Sequence, residues 1–153
     1  MAGKPQNPLA AKRHKARHYG MQALYQWHMA GAPLNDIEAE FRTEYDFSKV
    51  DGEFFHDLLH DIPAQLDAID TLYSPHMVER SLEELDPIEC ALLRIGSWEL
   101  SERIDVPYRV VINEAVNLAK KFGASESHKF VNGVLDKVAA QTRSVEVSAD
   151  ARG

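Results

Sequence analysis

Apolar residues recur along this chain at spacings of three and four and seldom alternate, a pattern that predicts helices nearly throughout. The first predicted helix covers about residues 9–30 and stops at Gly31-Ala32-Pro33. A short one follows over about 35–45. Between Asp51 and Tyr73, the residues Phe55, Leu58, Leu59, Ile62, Leu66, Ile69 and Leu72 fall at helical spacing, and Pro63 inside the run is expected to kink or split it. Ser74-Pro75 ends that run, and a short helix is expected over about 77–85. The sharpest start is Asp86-Pro87-Ile88-Glu89: an N-cap acid, a proline at the first helical position and a glutamate at N3. The helix it opens reaches about Arg103. Its apolar residues cover more than half of the wheel, which marks a central helix packed on several sides. Glu99 falls inside that arc and reads as a carboxylate bonded to a neighbouring helix end. Another helix starts at Pro107 and ends at Lys120-Lys121-Phe122-Gly123, and a last one runs from an N-cap at Ser125 to about Gln141. Val110-Val111-Ile112 is the most strand-like run, but its flanks are helical, and Asp51-Gly52 opens a helix rather than a hairpin. The expectation is an all-α fold of six to seven helices, forming two antiparallel sub-bundles that share the wide-faced helix. Residues 1–8 read as a flexible extension, 9–143 as a single all-helical domain and 144–153 as a flexible, frayed tail.

Composition narrows the class. Hydrophobic residues make up 44% and charged residues 27%, as in ordinary globular proteins, and no run approaches the ~20 apolar residues of a membrane span. The basic N-terminus lacks the apolar stretch of a signal peptide, and one cysteine, Cys90, allows neither an internal disulfide nor a CxxC metal site. A cytoplasmic, reduced protein without a membrane partner is expected. The net charge of −7 is unevenly spread: residues 1–35 carry five cations and no acid, whereas residues 36–104 carry 18 acids against five cations. Positive charge concentrated at one end keeps nucleic acid open as a partner despite the acidic total.

Two segments carry candidate binding chemistry. On the first helix, Leu9, Ala16, Gly20, Ala23, Leu24 and Trp27 share a core face. Lys12 and Lys15 flank it on one side and Arg13 and Arg17 on the other, with His14, His18 and Tyr19 interleaved. Four cations within six residues suit phosphate contact, although a basic first turn can also be only a solvated face. Met21, Tyr25 and Met29 line up with His18 on the opposite side, where either a partner or the second helix would cover them. At the start of the last helix, Ser125, Glu126, Ser127, His128, Lys129 and Phe130 gather free N–H groups, hydroxyls, a cation and an aromatic, an anion site in principle. Phe130 borders the core face of Val131, Val134, Leu135 and Val138; it either finishes that core or stacks a base.

Catalytic and metal patterns are weak. His56 and His60 can share a helix face, but two ligands do not make a zinc site and no third is implied nearby. Cys90 sits among apolar residues and reads as a small core residue. GxSxG, Walker, HExxH and dinucleotide patterns are absent, so neither enzymatic activity nor a cofactor or metal is expected.

The run Leu85–Ala139, with its segment FGASESHKFVNGVLD, closely resembles the bacterial NusB family of transcription antitermination factors, and the basic start KRHKARHYGMQALYQW resembles that family's first helix. The resemblance covers about residues 12–141. It implies an all-helical, NusB-like fold of two three-helix sub-bundles and an extra helix. It also implies an adaptor that binds boxA of ribosomal-RNA leader transcripts as single-stranded RNA, together with NusE, a small-subunit ribosomal protein, within the RNA polymerase antitermination complex. Carried over by residue, the RNA surface would comprise Lys12, Arg13, Lys15 and Arg17, with Glu126, Ser127, His128, Lys129, Phe130 and Asn132. The NusE surface would use Tyr25 and Glu89, the latter in an exposed first turn. His14-Lys15 stands where the family often has a denser arginine run, which implies fewer bidentate phosphate contacts. Two other readings remain: a NusB-like module serving ribosomal-RNA modification or processing in trans, and a helical DNA-binding domain. For the second, His128, Lys129 and Asn132 offer a thin major-groove reader.

Overall fold

The structure is a computed structural model that describes residues 7–78 and 80–152. The extension expected over residues 1–8 lies outside the described residues except for Asn7 and Pro8. Asn7 is the N-cap of the first helix, its side chain accepting from the Leu9 N–H at 2.9 Å, and Pro8 takes the first helical position. Among the described residues there are eight α-helices and no strand: α1 (Pro8–Ala30), α2 (Leu34–Glu44), α3 (Gly52–Ala64), α4 (Leu66–Tyr73), α5 (Pro87–Glu102), α6 (Tyr108–Phe122), α7 (Ser127–Thr142) and α8 (Ser144–Arg152). The all-α expectation holds, with one helix more than the upper count. The chain divides into two compact units, Met1–Asp61 and Ile62–Gly153, the boundary falling within α3.

In the first unit, α1 ends at Gly31, whose φ of 67° is the left-handed cap that glycine adopts without a Cβ penalty. The α2 helix folds back onto α1. Tyr19 of α1 stacks on Tyr45 at 4.8 Å and Phe47 at 5.8 Å, and Phe41 and Phe55 extend the aromatic cluster. Asp51 joins two chain segments: its N–H donates to the Lys12 carbonyl (3.1 Å), and its carboxylate accepts from the Phe54 N–H (3.0 Å) and from Arg13 Nε (3.3 Å).

In the second unit α5 is the central helix, buried from Glu89 through Leu100 and contacted by α4, α6 and α7. This is the outcome its wide apolar arc predicts. Gly96 lets α7 approach: a Cβ there would lie 2.7 Å from Leu135 Cδ1. Arg94 forks onto Asp70 of α4 at 3.0 and 3.1 Å, and Tyr73 donates to the same carboxylate at 2.6 Å. Cys90 is buried beside them, and that burial pushes its thiol pKa up, consistent with a core residue rather than a nucleophile.

Pro63 splits the third run, one of the two outcomes expected of it: α3 stops one residue later, and α4 restarts after Gln65. Three expectations are corrected. No α-helix forms among the described residues of 77–85. Only a single 3-10 turn, Leu82–Glu84, stands there, closed by a capping box in which Ser81 and Glu84 bond reciprocally. The last long helix starts at Ser127, with Glu126 rather than Ser125 in the N-cap position. Of the tail expected to be frayed, the described residues 144–152 form α8. Arg143, itself buried, donates to the carbonyls of Leu100 (2.8 Å), Val106 (3.0 Å), Arg103 (2.9 Å) and Glu99 (3.2 Å). It also holds Glu146 at 2.8 Å, whose other oxygen caps the Tyr108 N–H at 2.9 Å. One guanidinium thus satisfies the orphan carbonyls at the end of α5 while fixing the start of α8.

Candidate nucleic-acid interface

The first cluster lies on the opening turns of α1. Lys12, His14 and Lys15 are exposed, Arg13 is half-buried and Arg17 is buried. The division follows from Phe54 of α3, whose ring takes the guanidinium of Arg13 at 5.1 Å and that of Arg17 at 5.0 Å. Arg13 is further tied to Asp51. Of the four cations expected on one surface, Lys12 and Lys15 are exposed, while Arg17 lies beneath that surface and braces α1 on α3. The opposite stripe also divides. Met21 is buried in the unit, whereas Tyr25 and Met29 face outward, so the fold-back of α2 covers only part of it.

The second cluster opens α7. Glu126, Lys129 and Asn132 are exposed and His128 is partly so. Lys129 Nζ reaches Glu126 at 3.3 Å, both side chains being well exposed, and such a pair is easily broken. Ser127 is buried, its hydroxyl donating to Glu89 Oε2 at 2.8 Å. Phe130 is half-buried, and the Arg80 guanidinium lies 4.1 Å from its ring centroid.

The same arginine corrects the reading of Glu89. That residue is only 3% exposed, not an open first-turn acid. Its carboxylate is shared between Arg80 Nη1 at 2.6 Å and the Ser127 hydroxyl. Glu89 therefore links the start of α5 to the start of α7 through Ser127 and to the preceding loop through Arg80, both by charge-assisted bonds. Arg80 itself escaped the sequence reading. The available signal was its isolation, as the sole cation between Lys49 and Arg94 in an acidic stretch. Tyr25 is exposed in the first unit, whereas Glu89 is sealed in the second.

The histidine pair gains what the sequence did not suggest. Glu38 of α2 stands against both rings, its Oε1 at 2.9 Å from His56 Nδ1 and 2.8 Å from His60 Nε2. The expectation that no third ligand lies nearby is thereby overturned.

An all-helical chain carrying exposed cations on one helix and an aromatic-cation stack at the start of another has the form of a nucleic-acid-binding adaptor. Comparison with known proteins narrows the class. A model of the NusB family matches residues 14–140. The transcription antitermination protein NusB of Teredinibacter turnerae is 61% identical over 140 residues, covering 92% of this chain and 95% of that protein. The protein of the same name from Pseudomonas putida (strain W619) is 56% identical over 151 residues, covering 99% and 89%. Among solved structures, T. maritima NusB superposes with a TM-score of 0.74 at 29% identity, covering 89% of this chain and 96% of its own. A chain from a structure titled as a plectonemic RNA supercoil gives 0.70 at 24% identity, covering 84% and 94%, a likeness of fold alone. The chain belongs to the NusB family.

Proposed function

We propose that this protein is a non-enzymatic transcription antitermination adaptor. In this reading it binds boxA of ribosomal-RNA leader transcripts as single-stranded RNA, does so together with NusE, and joins the RNA polymerase antitermination complex in the cytoplasm. The observation that carries the reading is that a chain of this family bears exposed Lys12 and Lys15 on α1 of its first unit and, separately, Phe130 and Lys129 at the start of α7 of its second. Cations that are not consumed by internal pairs supply the sequence-independent attraction of a phosphate chain. A half-exposed aromatic beneath a guanidinium supplies a stacking surface for an unpaired base. Asn132 and His128 add donors and acceptors beside that surface. Tyr25, exposed beside Met29, is the better-placed protein contact, and Glu89 acts on any partner through the loop and helix start that it ties together. No helix among the described residues is long and apolar enough to cross a membrane.

The test is a titration of labelled single-stranded boxA RNA, a scrambled RNA of equal length and a duplex DNA of the boxA sequence, each with and without NusE. Preference for boxA RNA that sharpens with NusE supports the reading. Equal or tighter binding of the duplex favours a DNA-binding domain instead.

A further inference from the structure

We propose that Glu38, His56 and His60 form a binding site for a transition-metal dication of the zinc class, between α2 and α3 of the first unit. His56 and His60 are one helical turn apart on α3, so their side chains leave the same face; their ring centroids are 4.3 Å apart. Both rings aim a nitrogen at the same carboxylate oxygen, Glu38 Oε1, and the three ligand atoms lie within 4.8 Å of one another.

Two imidazole nitrogens and a carboxylate oxygen are zinc ligands, and bonds of about 2.0–2.2 Å in tetrahedral geometry place them roughly 3.3 Å apart. The two carboxylate–imidazole distances, 2.9 and 2.8 Å, therefore open by only a few tenths of an ångström to admit the ion, and the two ring nitrogens lie within 4.8 Å of each other. Three protein ligands leave the fourth position to water, and the half-exposed His56 side chain leaves a way in. Glu38 is held from behind: Arg42 Nε donates to its Oε2 at 2.9 Å, and Arg42 Nη2 is anchored on the Gly52 carbonyl at 2.9 Å. That arrangement holds Oε2, which also lies 3.2 Å from His56 Nδ1, and leaves Oε1 facing both histidines, the part that outer partners play in built metal sites. Binding requires each ring to present its lone pair rather than an N–H, so metal uptake displaces protons or shifts tautomers. The nitrogen-rich donor set favours zinc, nickel, cobalt or copper over magnesium and calcium. None of the three residues belongs to either cluster assigned to RNA.

Full-length, untagged protein freed of metal by a chelator is titrated with Zn²⁺ by calorimetry and with Co²⁺ by visible absorption at neutral pH. One equivalent of each is expected, with the intense cobalt bands of a four- or five-coordinate site. His56→Ala, His60→Asn and Glu38→Gln are each expected to weaken zinc by about 100-fold or more, since even outer partners contribute roughly 10–100-fold. His14→Ala, at an exposed histidine elsewhere on the unit, is expected to bind as wild type. Far-UV circular dichroism establishes that each variant is folded. Absence of binding to wild type, or equal affinity in wild type and folded His60→Asn, overturns the proposal.

Discussion

Truncating Phe130 separates its two candidate roles, because the structure assigns each a different cost. The ring is half-buried at the edge of α7 and carries the Arg80 guanidinium at 4.1 Å on its face. Phe→Ala in a sealed core costs about 3–5 kcal/mol, so half-burial brings the packing loss to roughly 2 kcal/mol. Losing the cation–π contact adds about 0.5–1 kcal/mol. As a stacking platform, the same ring contributes about 1–3 kcal/mol to RNA affinity, a loss of roughly 5- to 150-fold. A base would meet either the other face of the ring or the outer face of the guanidinium. Phe130→Leu retains most of the volume but no aromatic face, so it is expected to recover much of the stability and little of the affinity. Urea denaturation gives the first quantity and fluorescence anisotropy with single-stranded boxA RNA the second, on the same preparations. If Phe130→Ala loses 4 kcal/mol or more in stability while its folded fraction binds RNA as wild type does, Phe130 is a core residue and the stacking argument fails.

Lys12→Ala and Lys15→Ala are each expected to lower the log–log salt slope of RNA binding by roughly 0.7 with little change in stability; unchanged slopes would remove the start of α1 from the interface. Glu89→Lys is expected to destabilise the fold by about 3 kcal/mol in urea denaturation, because it sets a second cation against Arg80 and strands the Ser127 hydroxyl; loss of NusE binding at full stability would contradict that account. Acid should release α8 early. Burial raises the Glu146 pKa, but the Tyr108 N–H and Arg143 outweigh it and hold the group below its ordinary value. Its contribution is therefore present above the ordinary glutamate pKa and lost as pH falls through the lowered value. The protection factors of α8 amides, exchange rates corrected for their intrinsic pH dependence, are expected to fall over that interval in wild type and to vary less with pH in Glu146→Gln; identical profiles would remove Glu146 from the attachment.

Local signals were legible where a few neighbouring residues settle the outcome. Asp86-Pro87 fixed the start of α5, whose apolar arc announced a central helix, and Gly31 marked the end of α1. What stayed hidden depends on partners distant in sequence. Glu89 has the residue type and position of an exposed capping acid, and only the return of Arg80 and Ser127 shows it to be a sealed link. Arg17 has the periodicity of a surface cation, yet Phe54 of another helix lies under it. Residues 144–152 are too polar to announce a docked helix. Their order comes from Arg143 reaching the end of α5 and from Glu146 capping α6. Glu38 lies 18 residues before His56 on a different helix, a separation that no spacing rule for ligands connects.

The most direct test of the central claim is to crosslink boxA RNA carrying 4-thiouridine to the protein in the presence of NusE and to map the adducts by mass spectrometry. Crosslinks are predicted on the opening turns of α1, around Lys12 and Lys15, and at the start of α7, around Lys129 and Phe130. Adducts confined to other helices, with both segments unmarked, would contradict the assignment of RNA to these two clusters.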